Sequence, residues 1–403
     1  MIGLQGQIIC IGCGAQALEL LIDFGNQPPS NRFYGNGEIQ DDYHRLAMNQ
    51  CSRCALVQLV EPMAEEMVKS RVSWLDYNEP EEHLDRMVDE LVSMTNLSSD
   101  SRIIGLTYKD DTILKRFNQL GYTNTIRYDL RKDYNIEDTL ASLETIQMVL
   151  TKNLATDLVA KYSQADLVLA RHVLEHAHAP NKFIAAVAKL LKPTGFMIFE
   201  MPDSRKFLTA YDYSFVWEEH ITYFTEKTIS RFVKYAGFDP WRIISYDYPF
   251  EDSLVVVARP LPVNRNVLEP TFDELSIGRA YREGFVATRD LTRAKLIQFK
   301  DNNQGVALFG AGHQGVKFLN LFNLEELIHC VIDDNPNKIG LHMPGSGMEI
   351  QSSSVLLDQH IDLCLLALST ESEKKVIAAS DYFLKKGGSF KSIFSLSPIG
   401  LKT

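Results

Sequence analysis

No run of eighteen apolar residues occurs in this chain of 403 residues, which excludes a membrane-spanning helix. Nor does it open on a charged segment followed by an apolar stretch, so no secretory signal is expected. Positive charge is in short supply. Lys and Arg total 41 against 52 Asp and Glu, a net charge of −11. A nucleic-acid backbone is gripped by a basic face, so nucleic acid is not the expected partner. Cysteine is scarce too, with six in the whole chain. Two of them, Cys330 and Cys364, sit in apolar strand-like runs and read as buried thiols. What remains is an ordinary soluble composition, 45% hydrophobic and 23% charged, long enough for two or three domains.

The other four cysteines carry the first positive signal. Cys10 and Cys13 form one CxxC pair, and Cys51 and Cys54 form a second. Two-residue spacing lets both thiolates of a pair reach one metal, and two pairs complete a tetrahedral sulfur shell. Four soft ligands with no open position describe a structural Zn2+ site; the alternative is a set of reduced, unligated thiols. Metal-type cysteines without a secretory signal point to the cytoplasm.

Three segments follow from the pattern: a zinc-binding unit over 1–70, an α/β core over 71–262, and a helical linker with a second α/β unit over 263–403. The first is smaller than a hydrophobic core alone stabilises well, which suits a metal. In the second, strands are expected at Arg102–Leu106, Thr125–Tyr128, Ala165–Ala170 and Phe196–Glu200. Helices are expected at Asp111–Leu120 and Asn181–Lys192, the latter stopped by Lys192-Pro-Thr-Gly195. That alternation predicts a parallel sheet covered by helices. A long helix over Thr271–Asp301 leads to strands at Gly305–Phe309, Val331–Asp333 and Asp362–Ala367.

The order of Leu174-Glu175-His176 after a strand, then helix, Lys192-Pro-Thr-Gly195 and strand, resembles class I S-adenosylmethionine (SAM) methyltransferases, with a Rossmann-like core. In that fold the cofactor lies over the carboxyl ends of the first strands. Gly105 then belongs to the first-strand turn, and Asp129 is placed to take the ribose hydroxyls, its plain alternative being a loop cap. Tyr108 offers an aromatic face to the sulfonium, and Arg171 stands beside His172 in a further strand-end turn. The first turn, Gly105-Leu-Thr-Tyr-Lys-Asp-Asp111, has a single glycine where the fold usually has several.

Over nearly its full length the chain resembles the three-domain C-methyltransferases of nucleotide-linked deoxysugars. The likeness rests on the CxxC pairs, Asp23-Phe-Gly-Asn-Gln-Pro-Pro-Ser-Asn-Arg-Phe33, Cys51-Ser-Arg-Cys-Ala-Leu-Val-Gln-Leu59, Glu219-His220-Ile-Thr-Tyr-Phe224, Phe309-Gly-Ala-Gly312 and Asp333-Asp-Asn-Pro-Asn-Lys-Ile-Gly340. The resemblance implies alkylation of a carbon next to a ketone. It puts the base at His220, with Glu219 binding the sugar or tuning the histidine, and His176 contacting the keto-sugar or donating to the developing oxyanion, its plain alternative being a helix cap. A base of this kind needs a pKa near working pH, which favours histidine. The implied partners are SAM and a small-molecule substrate, a nucleotide-linked sugar.

Two departures bear on the substrate. Trp217 stands where the family has a tyrosine two residues before the Glu-His pair. Phe250-Glu251-Asp252-Ser253 replaces a His-Gly-Gly-Ser turn, leaving Ser253 as the surviving substrate contact. An acidic pair there would repel a diphosphate unless a cation intervenes. In the C-terminal unit, Gly310-Ala-Gly312-His-Gln-Gly315 followed by Asp333 is a dinucleotide-binding pattern on bare rules. The resemblance assigns Gly310 and Gly312 to the substrate side instead. An NAD-using enzyme on this scaffold, or a non-catalytic nucleotide-sugar binder, are the competing readings.

Overall fold

A computed structural model describes residues 9–38, 40, 42–75, 79–261 and 269–401. The expected junction at 262/263 lies outside the described residues.

The N-terminal unit is an antiparallel ribbon of Leu18–Gln27 (β1), His44–Cys51 (β2) and Val57–Leu59 (β3). The core sheet holds Ile103–Gly105 (β4), Thr125–Arg127 (β5), Ala165–Arg171 (β6) and Leu191–Asp203 (β7). Beyond them come Thr222–Tyr223 (β8), Phe238–Tyr246 (β9) and Asp252–Pro260 (β10). The core order is β5-β4-β6-β7-β10-β9. Strands β5, β4, β6 and β7 are parallel as predicted, while β10 runs antiparallel to both β7 and β9. The expected all-parallel sheet is therefore mixed. The reversal follows from chain economy: β9 and β10 are joined by a short turn, which only antiparallel neighbours permit. Lys192-Pro-Thr-Gly195 does end its helix, Pro180–Leu190, but lies inside the long strand β7.

The C-terminal unit is a parallel sheet, β13-β12-β11-β14-β15. Its strands are Val306–Phe309 (β11), Cys330–Ile332 (β12), Ile350–Gln351 (β13), Leu363–Leu366 (β14) and Ser389–Ser392 (β15). Cys330 and Cys364 are buried in it, as predicted. Helix Phe272–Asp301 bridges the units; Thr271 and Glu274 form a reciprocal capping box at its start. No helix among the described residues is long and apolar enough to cross a membrane.

The three units share cores. Strand β8 leaves the methyltransferase segment to pair with β3, completing the ribbon as its fourth strand. One buried cluster runs from the four cysteines through Leu56 to Phe224, Phe232 and the core strands. Another joins Leu46, Met48 and Val57 of the ribbon to Tyr213, Tyr281 and the C-terminal sheet.

Candidate active site

The cysteines come first because the site is hung from their unit. Each CxxC closes the same knuckle. Gly14 N–H donates to the Cys10 carbonyl (2.8 Å) and Ala55 N–H to the Cys51 carbonyl (2.8 Å). The residue after each second cysteine, Gly14 and Ala55, has positive φ, +75° and +61°. The knuckles face one another, with Cys10 Sγ 3.6 Å from Cys54 Sγ and Cys13 Sγ 3.7 Å from Cys51 Sγ. A tetrahedron with Zn–S bonds of about 2.3 Å has edges of about 3.8 Å. All four sulfurs are buried, free of disulfides and within 4.8 Å of one another. The set fits a closed Zn2+ site. Asn181 of the core donates to the Ile11 and Gly12 carbonyls (2.8 and 3.0 Å), and Arg231 to that of Cys54 (3.3 Å), so the knuckles are tied to the core.

The cleft lies between the N-terminal unit and the core. Asn31, Val68 and Ser70 line it from the N-terminal unit, and Tyr108, Glu144, His176, Trp217, Glu219 and His220 from the core. Two backbone features bring the distant histidines together. Ile221 and Thr222 N–H both donate to the Glu175 carbonyl (2.8 and 3.2 Å), setting the segment before β8 beside the turn after β6. The Tyr223 hydroxyl then clips Trp217, accepting from its N–H (2.9 Å) and donating to its carbonyl (2.8 Å). The rings of His176 and His220 meet edge to face with centroids 4.8 Å apart, and Trp217 packs on the other side of His220 at 4.9 Å.

The electrostatics of the two histidines are opposite. His220 is held well below the ordinary imidazole range, first by burial and then by the neighbouring His176, His313 and His172. Burial acts the same way on His176, but the Glu144 carboxylate, 2.8 Å from Nδ1, outweighs it and raises the pKa. Glu144 answers in kind: burial pushes it up, yet His176 and the Ser142 hydroxyl bring it down to about 2. Glu219 is raised well above the carboxylate range, by burial first and then by Glu144 and Glu218. Asn31 Nδ2 lies 3.3 Å from its Oε1. The site thus sets an imidazole of lowered pKa against one of raised pKa, with a carboxyl of raised pKa in the same pocket.

The remaining expected residues divide. Asp129 lies at the end of β5 and is half-buried; its Oδ1 accepts from the N–H groups of Arg131 and Lys132 (3.0 and 2.8 Å). It caps its loop, as the plainer reading had it, with Oδ2 making no hydrogen bond among the described residues. Tyr108 presents a ring 42% exposed at the cleft. Of the two, Tyr108 lines the cleft and Asp129 does not. Gly105 serves packing: a Cβ there would meet Asp110 Cβ at 2.7 Å and Leu114 Cδ1 at 2.9 Å. Asp110 takes the N–H groups of Leu106 and Thr107 (2.8 and 2.9 Å), the donors a glycine-rich turn would leave for a cofactor. Arg171 is 1% exposed and is engaged by Glu200 (2.5 Å), Asp110 and the Lys109 carbonyl. It braces β6 against β7.

Ser253, Gly310 and Gly312 do not line the cleft. Ser253 Oγ donates to Glu200 (2.7 Å) inside the same buried knot. The neighbouring acidic pair is disarmed. Lys206 holds Asp252 at 2.5 Å, and Glu251 is raised well above the carboxylate range by burial, then by Glu79, Asp203 and Glu175, against His172. In the C-terminal turn a Cβ on Gly310 would meet the Ala367 carbonyl oxygen at 2.5 Å, and one on Gly315 the Gly310 oxygen at 2.2 Å. Both glycines serve packing there, while Gly312 has open space around it. Asp333, which a dinucleotide site would use for the ribose, accepts from Ala311 N–H and Lys338 Nζ (both 3.0 Å).

Sequence reasoning missed Glu144, which lies in a stretch without a motif, and Asn31, which was in view within the Pro-Pro-Ser-Asn-Arg segment but carried no role.

Comparison with known proteins agrees with this plan. Residues 10–68 match a zinc binding domain family, 61–243 a methyltransferase domain, and 268–394 the C-methyltransferase C-terminal domain. The C-methyltransferase NovU of Streptomyces niveus is 23% identical over 399 residues, 94% of each chain. Solved structures with some likeness include the 1,6-didemethyltoxoflavin-N1-methyltransferase of Burkholderia thailandensis. It shows 15% identity and a TM-score of 0.31, covering 45% of this chain and 79% of that one. A SAM-dependent methyltransferase from Anabaena variabilis shows 14% identity and a TM-score of 0.32, covering 45% and 86%. Such scores are too low to bear on the site. The three family matches run collinearly from the zinc knuckles to the last sheet, and they show a SAM-dependent methyltransferase with a zinc-binding unit, a methyltransferase core and the C-methyltransferase C-terminal domain.

Proposed function

We propose that the chain methylates a carbon adjacent to the ketone of a nucleotide-linked keto-deoxysugar, with His220 as base. The observation that supports this is the edge-to-face contact of His220 with His176 in one cleft, the pKa of His220 being lowered and that of His176 raised. With Nδ1 of His176 turned to the Glu144 carboxylate 2.8 Å away, its Nε2–H is the donor assigned to the keto oxygen. His220 takes the α proton, the C–H pair becomes the enolate π bond, and the negative charge gathers on the oxygen facing His176. Bound SAM supplies an electrophilic methyl group. Tyr108 and Asp129 are the residues placed to hold it. Glu219, whose pKa is raised, faces a sugar oxygen, and Trp217 offers a flat wall. The deoxysugar assignment draws its support from the likeness to NovU.

The test uses a nucleoside-diphosphate-linked 4-keto-6-deoxyhexose in heavy water. The wild-type protein should exchange the proton α to the ketone, and with SAM should add one methyl to carbon. His220→Ala should lose about 100- to 10,000-fold in exchange rate while SAM affinity stays within a fewfold. Exchange at the wild-type rate in that variant would remove His220 as the base.

A further inference from the structure

The segment carrying Glu219 and His220 is gripped from outside the methyltransferase core. Helix His313–Phe322 of the C-terminal unit runs into it head first. Its first residue, His313, lies within hydrogen-bonding distance of the Ser214 carbonyl through Nε2 (3.1 Å) and stacks on Trp217 at 4.3 Å. One turn on, Lys317 is fully buried and places Nζ 2.7 Å from Glu218 Oε2. The other oxygen of Glu218 accepts the backbone N–H of Ser30, so one carboxylate joins all three units. His313 and Lys317 stand four residues apart on one helix face. Between their two holds the chain makes the short run Ser214–Glu218, and the next two residues are Glu219 and His220. The rings of His313, Trp217 and His220 pack in tilted succession, and His176 meets the last edge to face, so the four make one continuous chain of contacts.

We propose that Lys317, through Glu218, is a positioning residue for His220, so that the C-terminal domain sets the geometry of the base. Nothing about the fold requires a lysine here. An unexposed ion pair is costly to desolvate, and apolar residues of like volume would stabilise the interface as well or better. Geometry is what such a pair adds. Glu218 is held ionised despite its burial, by Lys317 first and then His313, which keeps the clamp closed. The inference rests on the reading of His220 as base, but its test does not depend on that reading.

The test compares wild type with the neutral double variant Glu218→Gln/Lys317→Met, which leaves no buried charge unpaired. The chain has ten histidines, and in histidine-labelled protein the His220 ring signal is the one lost in His220→Ala. The double variant should keep its melting temperature and its SAM affinity within twofold, yet shift the His220 signal. With the keto-sugar above, kcat for α-proton exchange should fall at least tenfold while KM changes less than threefold. Should the double variant not fold, Glu218→Asp keeps the charge pair, shortens the arm by one methylene and should shift the same signal. As a control, Arg231→Met/Glu274→Gln removes a second, slightly less buried ion pair elsewhere and should leave the His220 signal in place. A His220 signal at its wild-type position in the folded positional variant overturns the inference. Wild-type exchange in His220→Ala overturns only the base assignment.

Discussion

His176 and His220 touch, and of the two it is His220 whose charge is suppressed, by burial first and then by His176. The sign of the pH dependence follows. His220 must be neutral to take a proton, so activity is lost as pH falls through its depressed pKa, well below 6.5. His176 must be protonated to donate, so activity is lost as pH rises through its raised pKa, above 6.5. A profile of kcat/KM against pH should therefore show a plateau between two limbs displaced outward. Glu144→Gln removes the carboxylate that raises His176 and should bring the alkaline limb inward. An alkaline limb that stays in place would show that His176 is not the group titrating there. At this scale the sequence was a good guide to residue type and a poor one to partnership. Glu219-His220 and His176 announced themselves as a motif and a strand-end turn. Glu144 did not, because its carboxylate reaches His176 from a helix that only tertiary packing brings near. Arg171 looked available because sequence does not show that Glu200 waits on the next strand.

Elements were legible where one period or one knuckle decides them. The CxxC spacing gave the metal site, and the apolar rows of Asp111–Gln119 and Pro180–Leu190 gave their helices. The reversed strand β10 and the two-residue β8 have no period long enough to read. Two predictions belong here. Cys51→Ser breaks the sulfur shell, and metal-binding free energy in such small units is folding free energy. The variant should bind less than about half an equivalent of zinc by elemental analysis and lose solubility; full zinc with wild-type stability would count against the closed site. Gly105→Ala drives a methyl into Asp110 and Leu114. Overpacking of this kind costs about 1–3 kcal/mol, so thermal unfolding should shift down even though the residue looked like a cofactor contact. If stability is unchanged while SAM affinity drops, Gly105 faces the cofactor after all.

For the whole molecule, the three-part division seen in the sequence describes the chain's order better than its mechanics. The bidentate pair of Arg231 with Glu274 (2.5 and 2.7 Å) fastens the core to the long helix, and Arg231 also holds the Cys54 knuckle. Burial would raise Glu274, but Arg231 and the Thr271 cap hold it at about 2. The stability it contributes is present above the ordinary glutamate range and is lost as pH falls toward 2. Glu274→Gln leaves Arg231 buried without its counter-charge. The variant should lose about 3–5 kcal/mol in denaturant unfolding and surrender zinc to a chelator faster; unchanged chelation kinetics would show the knuckle to be independent of this lock. The tie between β3 and β8 has a consequence in time as well. During synthesis the ribbon leaves the ribosome with β3 as an open edge, and its partner Thr222–Tyr223 is made only about 160 residues later. At 5–20 residues per second that interval is about 10–30 s. For that period a nascent chain carries an unpaired strand edge next to four reactive thiols, so early zinc capture guards against misassembly as much as it stabilises the finished fold.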